Sequence, residues 1–242
     1  MDDTVLDKLR QGDEIFIRGL ISPESEDHSA INVGGADQAG RSSWRGVTAG
    51  GNSALHIVAT FGHLELAKLI CGRDRSLLAA RNAAREMPLH CAVRAGADQI
   101  VSHFILEARR WEDGRRLEDV LRATDKEGKT ALHAAAEEGH AAVARVLVSA
   151  DPGLAALVDN TGASPLYAAV LSKSLEVVQI LIELESPAEG GIQAGTTSAG
   201  ATQKISYAGP NGQTALHAAA IVQSPGSYLT CQSASSSPIL HE

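Results

Sequence analysis

Apolar residues along this chain recur in short stripes whose spacing is that of helices. Leu66, Leu69 and Ile70 fall on one face of a helix. Val143, Val146, Leu147 and Val148 repeat the arrangement, and so does the run from Leu175 through Val177, Val178, Ile180 and Leu181 to Ile182. Near the start, Val5, Leu6 and Leu9 precede Gly12-Asp13, and Ile15, Phe16, Ile17 and Leu20 follow it. That pattern predicts a helical pair over 4–21, broken at the glycine. Ahead of the later stripes lie shorter Ala-rich segments, each opened by a polar turn. The clearest runs from Gly128-Lys129-Thr130-Ala131-Leu132-His133 to a stop at Gly139-His140.

That phrase recurs. Gly51-Asn52-Ser53-Ala54-Leu55-His56 and Gly212-Gln213-Thr214-Ala215-Leu216-His217 restate it, while Met87-Pro88-Leu89-His90 and Ser164-Pro165-Leu166-Tyr167 are weaker copies. Leu55 and Leu89 stand 34 residues apart, as do Leu132 and Leu166. The two other gaps are longer and imply insertions. A period of about 33 residues around a Thr-Pro-Leu-His-x-Ala core resembles the ankyrin repeat. The resemblance covers roughly 51–222 and implies an all-α repeat solenoid, an ankyrin stack of helix-turn-helix units joined by β-hairpin-like turns. Residues 1–21 are then an N-terminal helical cap or a degenerate repeat. Residues 22–50 are expected to be a flexible loop, with Trp44 pinning its end to the first full repeat. The array of about five repeats fills 51–222, with insertions near 107–122 and 186–208 and an incomplete last repeat. A disordered Ser-rich tail closes the chain over 223–242.

Two turns depart from the repeat. Arg85 stands where a turn glycine is expected, and Lys173 replaces the glycine between the helices of repeat four, which carries a backbone cost. After Val222 the chain runs into Gln223-Ser224-Pro225-Gly226, so no second helix is expected there. The stack would end on a helix whose Ala218, Ile221 and Val222 are poorly covered.

Composition agrees with thin, closely stacked helices, since aromatic residues make up only 3% of the chain. A net charge of −8 argues against a nucleic-acid binder. Between Arg73 and Arg122 arginines cluster, but acidic residues interleave with them. Cys71, Cys91 and Cys231 form no CxxC pair and suggest a reducing compartment. The acidic opening Met1-Asp2-Asp3-Thr4 is unlike a secretory signal. No stretch reaches the ~18 apolar residues of a membrane span. Together these predict a soluble, cytoplasmic chain.

The recurrent histidines are the first candidates for chemistry. His56, His90, His133 and His217 share one position, which Tyr167 takes in repeat four. Stacked repeats set them in a row, each a repeat apart, whereas a metal needs several ligands about 2.0–2.3 Å from one point. They are expected to be structural, bonding the backbone of neighbouring turns, and Leu55, Leu89, Leu132, Leu166 and Leu216 to pack beside them. Gly128-Lys129-Thr130 resembles the end of a phosphate-binding loop, but position 123 is Ala and no strand precedes it. No catalytic, metal or cofactor constellation is expected, and the chain reads as a non-enzyme.

What remains is surface. Turn tips and the exposed ends of first helices share one concave side, which points to Phe61, Arg94, Asp125, Lys126, Glu137, Glu138, Asp159, Asn160 and Leu171 as residues that contact a protein partner. More narrowly, Leu157-Val158-Asp159-Asn160-Thr161-Gly162-Ala163-Ser164-Pro165-Leu166-Tyr167 and Gly209-Pro210-Asn211-Gly212-Gln213-Thr214-Ala215-Leu216-His217 resemble plant ankyrin proteins of the accelerated-cell-death type. That resemblance implies a role in plant defence, cell-death control or stress signalling. It also implies a C-terminal Pro-Gly-Gly domain with membrane spans, often at the plasma membrane. The sequence ends before any such domain, so membrane residence is not carried over; the stacked repeats and the lack of a catalytic constellation make the expected role a non-catalytic interaction scaffold. The alternative is a soluble form of a membrane-anchored relative, competing for its assembly contacts.

Overall fold

The computed structural model describes residues 1–21, 44–110, 115–184 and 205–223. Its helices are α1 (Asp3–Gln11), α2 (Glu14–Ile21), α3 (Ala54–Phe61), α4 (Leu64–Arg73), α5 (Pro88–Arg94), α6 (Asp98–Arg109), α7 (Arg115–Leu121), α8 (Ala131–Glu138), α9 (Ala141–Ala150), α10 (Pro165–Leu171), α11 (Leu175–Glu183) and α12 (Ala215–Gln223). They form two rows. The inner row runs α1, α3, α5, α8, α10, α12, each helix packing on the next, and α2, α4, α6, α9 and α11 form the outer row. Among the described residues there is no strand, only an isolated antiparallel bridge between Ala208 and Thr214. The chain is an all-α repeat solenoid.

Small residues permit the close inner row. Ala54, Ala59, Ala92, Ala131, Ala135 and Ala169 are completely buried, as are the outer-helix residues Ile70, Val101, Val143 and Val177. Burial of these aliphatic faces supplies the main driving force, at ~25 cal/mol per Å² of apolar surface removed from water. Inner helices begin on a hydroxyl cap at Ser53 and Thr130, or with a proline in the first turn at Pro88 and Pro165, whose missing N–H is not needed there. They end at a left-handed residue. This is glycine at Gly62 and Gly139, and the turn after α10 uses Lys173 at φ 60°. A side chain in that region crowds its own carbonyl. Lys173→Gly is therefore expected to raise stability by about 0.5–1 kcal/mol in a urea titration. An unchanged midpoint would show that this turn carries no strain.

The tips of successive repeats are tied together along their edge. Ala83 N–H donates to the Gly50 carbonyl at 2.9 Å, Lys126 N–H to Ala84 at 3.0 Å, and Asn160 N–H to Glu127 at 3.0 Å. At Gly128, with φ 79°, a Cβ would stand 2.3 Å from Asn160 Oδ1 and 2.8 Å from Asn160 N. Only glycine lets tips three and four approach this closely.

Several expectations are corrected by these contacts. Residues 44–50, assigned to a loop over 22–50, are built into the stack. Trp44 is 9% exposed within the core, and Thr48 N–H donates to Asn52 O at 3.0 Å to form the first tip. Residues 22–43 lie outside the described residues, as do 185–204 of the insertion near 186–208 and all of the tail after Gln223. At the other end, Leu216 is 78% exposed, although it was grouped with the buried leucines. Its equivalents bury themselves between the two helices of their own repeat, and no second helix of repeat five is among the described residues. His217 is exposed for the same reason. Ala218, expected to be poorly covered, is 0% exposed because it faces back onto Ala163, Tyr167 and Val170.

Candidate partner-binding groove

The histidine position is a relay between repeats. In repeat three, Thr130 N–H donates to His133 Nδ1 at 3.2 Å, and Thr130 Oγ1 lies 2.9 Å from the same nitrogen. Nδ1 is thus an acceptor, and Nε2–H is left to donate to the Ala163 carbonyl at 3.1 Å, one repeat on. His56 repeats this with Ser53 and the Glu86 carbonyl at 3.0 Å. His90 reaches the Ala123 carbonyl at 3.2 Å, with Met87 supplying only its backbone N–H. Tyr167 carries the contact forward in repeat four, its hydroxyl donating to Gln213 Oε1 at 2.7 Å. Burial holds the His56, His90 and His133 rings below the ordinary imidazole pKa, against the opposing pull of their carbonyl partners. Both nitrogens of each ring are engaged, so the rings act as struts.

A second relay, unread in the sequence, runs backward. His63 Nε2 lies 2.8 Å from the Arg10 carbonyl and His140 Nε2 3.1 Å from the Arg94 carbonyl. In repeat four Ser172 Oγ donates to Ala136 O at 2.7 Å instead. The signal was present in the histidines directly after Gly62 and Gly139.

Against this frame, the tips and inner helices of repeats three to five enclose a groove of ≈ 750 Å³. Lys126, Glu137, Asp159, Asn160 and Leu171 all line it, with Ala168, Tyr167 and Pro210 as its apolar floor. The other expected contact residues lie elsewhere. Phe61 belongs to repeat one, where it stacks on His63 with ring centroids 6.4 Å apart. Arg94 pairs with Glu86. Glu138 is exposed outside the groove lining. Asp125 is only 7% exposed, and its Oδ1 accepts from Glu127 N–H at 2.8 Å and Lys129 N–H at 3.0 Å. It fastens its own tip.

The groove's charges are unequal in availability. Lys129 Nζ sits 2.8 Å from both Glu127 Oε2 and Glu137 Oε1. These two carboxylates, Glu127 first, raise the Lys129 pKa and neutralise part of the rim. At Asp159, burial pushes the carboxyl pKa up, but the donors Thr161 and Ala163 together hold it below the usual value. Its Oδ1 accepts from Thr161 N–H, Thr161 Oγ1 and Ala163 N–H at 2.8, 2.7 and 2.9 Å. Lys126 is exposed and has no carboxylate within ion-pair distance among the described residues. The result is an apolar floor with a carboxylate-rich wall and one available cation. Such a surface can recognise; it presents no activated nucleophile.

Residues 116–194 match the family model described as Ankyrin repeats (3 copies), and residues 50–83 match the one described as Ankyrin repeat. The chain carries ankyrin repeats over these two stretches. It is similar to Protein ACCELERATED CELL DEATH 6 of Arabidopsis thaliana, with 38% identity over 127 residues, 50% of this chain and 19% of that protein. A second Arabidopsis thaliana relative, an ankyrin repeat-containing protein, is 32% identical over 99 residues, 40% of this chain and 18% of its own length. The Transient receptor potential cation channel subfamily A member 1 homolog of Caenorhabditis elegans is 33% identical over 132 residues, 54% of this chain and 10% of the channel homolog. This chain therefore spans about a fifth or less of the length of the curated relatives it matches. Among the described residues no helix is long and apolar enough to cross a membrane.

Proposed function

We propose that this ankyrin array is a non-catalytic scaffold that binds a protein partner in the groove of repeats three to five. The observation that carries the reading is the convergence of five variable residues, Lys126, Glu137, Asp159, Asn160 and Leu171, on one apolar-floored groove. A preformed surface loses little conformational entropy on binding, and apolar anchors beside a charged rim are where binding energy concentrates. The similarity to Protein ACCELERATED CELL DEATH 6 supports plant defence or stress signalling as the setting, and the proposed compartment is the cytoplasm.

The test uses capture from plant tissue by the wild-type chain and by Lys126→Glu/Leu171→Asp. Both positions are surface, so melting of the variant is expected to stay within about 1 kcal/mol of wild type. The wild-type chain retains a partner that the variant loses by at least about tenfold. Equal recovery by the two chains would remove the groove from the account.

A further inference from the structure

A second cleft, of ≈ 510 Å³, lies on the opposite, outer row of the array, between α6 and α9. Its lining alternates apolar and small residues on both helices, with Ile105 and Leu106 on α6, and Val146, Ser149 and Ala150 on α9. Leu106 is 47% exposed, large and apolar on a face where the stack has no further layer. Arg109 and Arg145 stand at its rim. Both are exposed, and neither has a carboxylate within ion-pair distance among the described residues. Their neighbours differ, since Arg75 and Arg110 pair with Glu107, Arg94 with Glu86, and Arg122 with Asp151. In a chain of net charge −8, two available arginines beside one apolar cleft form a local positive site.

The offset of the two cations is set by the repeat. α6 and α9 are equivalent outer helices and run in the same direction, starting at Asp98 and Ala141. Arg145 is in the second turn of α9 and Arg109 is the last residue of α6, about seven residues further along. At ~1.5 Å per residue that is an axial separation of ~10 Å, or two helical turns. The furrow between adjacent helices accepts the side-chain ridge of a third helix. We infer that the α6–α9 cleft docks an amphipathic acidic helix of a partner protein, its apolar stripe on Leu106 and Val146 and two carboxylates, spaced i and i+7, on Arg145 and Arg109. Desolvation beside the apolar floor strengthens such pairs relative to open surface, and Arg suits carboxylates through its planar fork. An anionic membrane fits less well, because a flat surface cannot enter a cleft and two cations contribute only ~1 kcal/mol each there.

The test is selection of a displayed library of helical 15-residue peptides on the full wild-type chain, with counter-selection on Arg109→Glu/Arg145→Glu. Recovered peptides are expected to carry Asp or Glu at i and i+7 around apolar residues. In fluorescence anisotropy they should bind the double variant at least about tenfold more weakly. Exchanging their two acids for lysine should restore binding to that variant. Leu171→Asp should leave this binding intact, which separates the cleft from the groove of repeats three to five. Peptides without the acidic pattern, or with equal affinity for the double variant, would overturn the inference. So would an arginine-dependent doubling of mass with concentration, which assigns the cleft to a second copy. Arginine-dependent sedimentation with phosphatidylserine vesicles, in place of peptide binding, would assign it to lipid and overturn it as well.

Discussion

As the pH falls below about 6.5, the ordinary imidazole value, the array is expected to lose stability steeply. His56, His90 and His133 are buried, and burial lowers each pKa in the folded chain. The unfolded chain therefore binds protons at these rings before the folded chain does. Stability is complete above about pH 6.5 and declines as the pH drops toward the folded values. Each ring contributes a slope of up to ~1.4 kcal/mol per pH unit within that window. Carboxylates enter only later. Burial raises Glu86, but Asn82 and Arg94 together hold it below 4.5, and Asp159 is likewise held below 3.8. Their loss begins under those values, so the decline between pH 6.5 and 4.5 belongs to the imidazoles. Urea titrations at pH 7.5, 6.5 and 5.5 would show the unfolding midpoint falling, and His90→Gln would lessen the decline. A midpoint constant over that range would mean that the rings are protonated within the fold.

Replacing His133 with Ala is expected to cost about 2–4 kcal/mol. The imidazole is 1% exposed and links Thr130 to the Ala163 carbonyl. Its removal leaves the buried Thr130 N–H unpaired, at ~1–3 kcal/mol, takes from the Ala163 carbonyl one of its two donors (Asp159 N–H remains at 2.9 Å), and opens a ring-sized void. Because the bond spans repeats three and four, the loss falls on their shared interface, which is where repeat arrays hold their cooperativity. Denaturation should then separate into two steps, with α10–α12 released first. A single transition shifted by less than ~0.5 kcal/mol would show that the relay contributes little.

The frame was legible because it is periodic. Leu55, Leu89, Leu132 and Leu166 share a register, and the cost of Lys173 followed from the missing glycine alone. The groove was half legible. Position within the repeat indicated Lys126, Glu137 and Leu171, but not that Glu137 would be tied to Lys129, since that contact depends on how the tip folds over α8. Asp125 looked available because its neighbours are charged. Its carboxylate is instead enclosed by the backbone of its own turn, a three-dimensional fact with no signature in a single polar letter. Leu216 carries the letter of the frame but stands 78% exposed, and no second helix of its repeat is among the described residues. The arginines of the outer cleft were visible only as part of a mixed-charge stretch, and pairing of their neighbours is what sets them apart.

The central claim is a division of labour between fixed letters that hold the stack and variable letters that contact a partner. It is tested most directly by measuring partner affinity per folded molecule for His90→Ala, a relay histidine outside the groove lining, and Leu171→Asp beside wild type, at a temperature where all three are folded. The account expects His90→Ala to retain affinity within about threefold while melting earlier, and Leu171→Asp to melt as wild type while binding at least about tenfold more weakly. Full affinity in Leu171→Asp would contradict it, as would a folded His90→Ala that no longer binds.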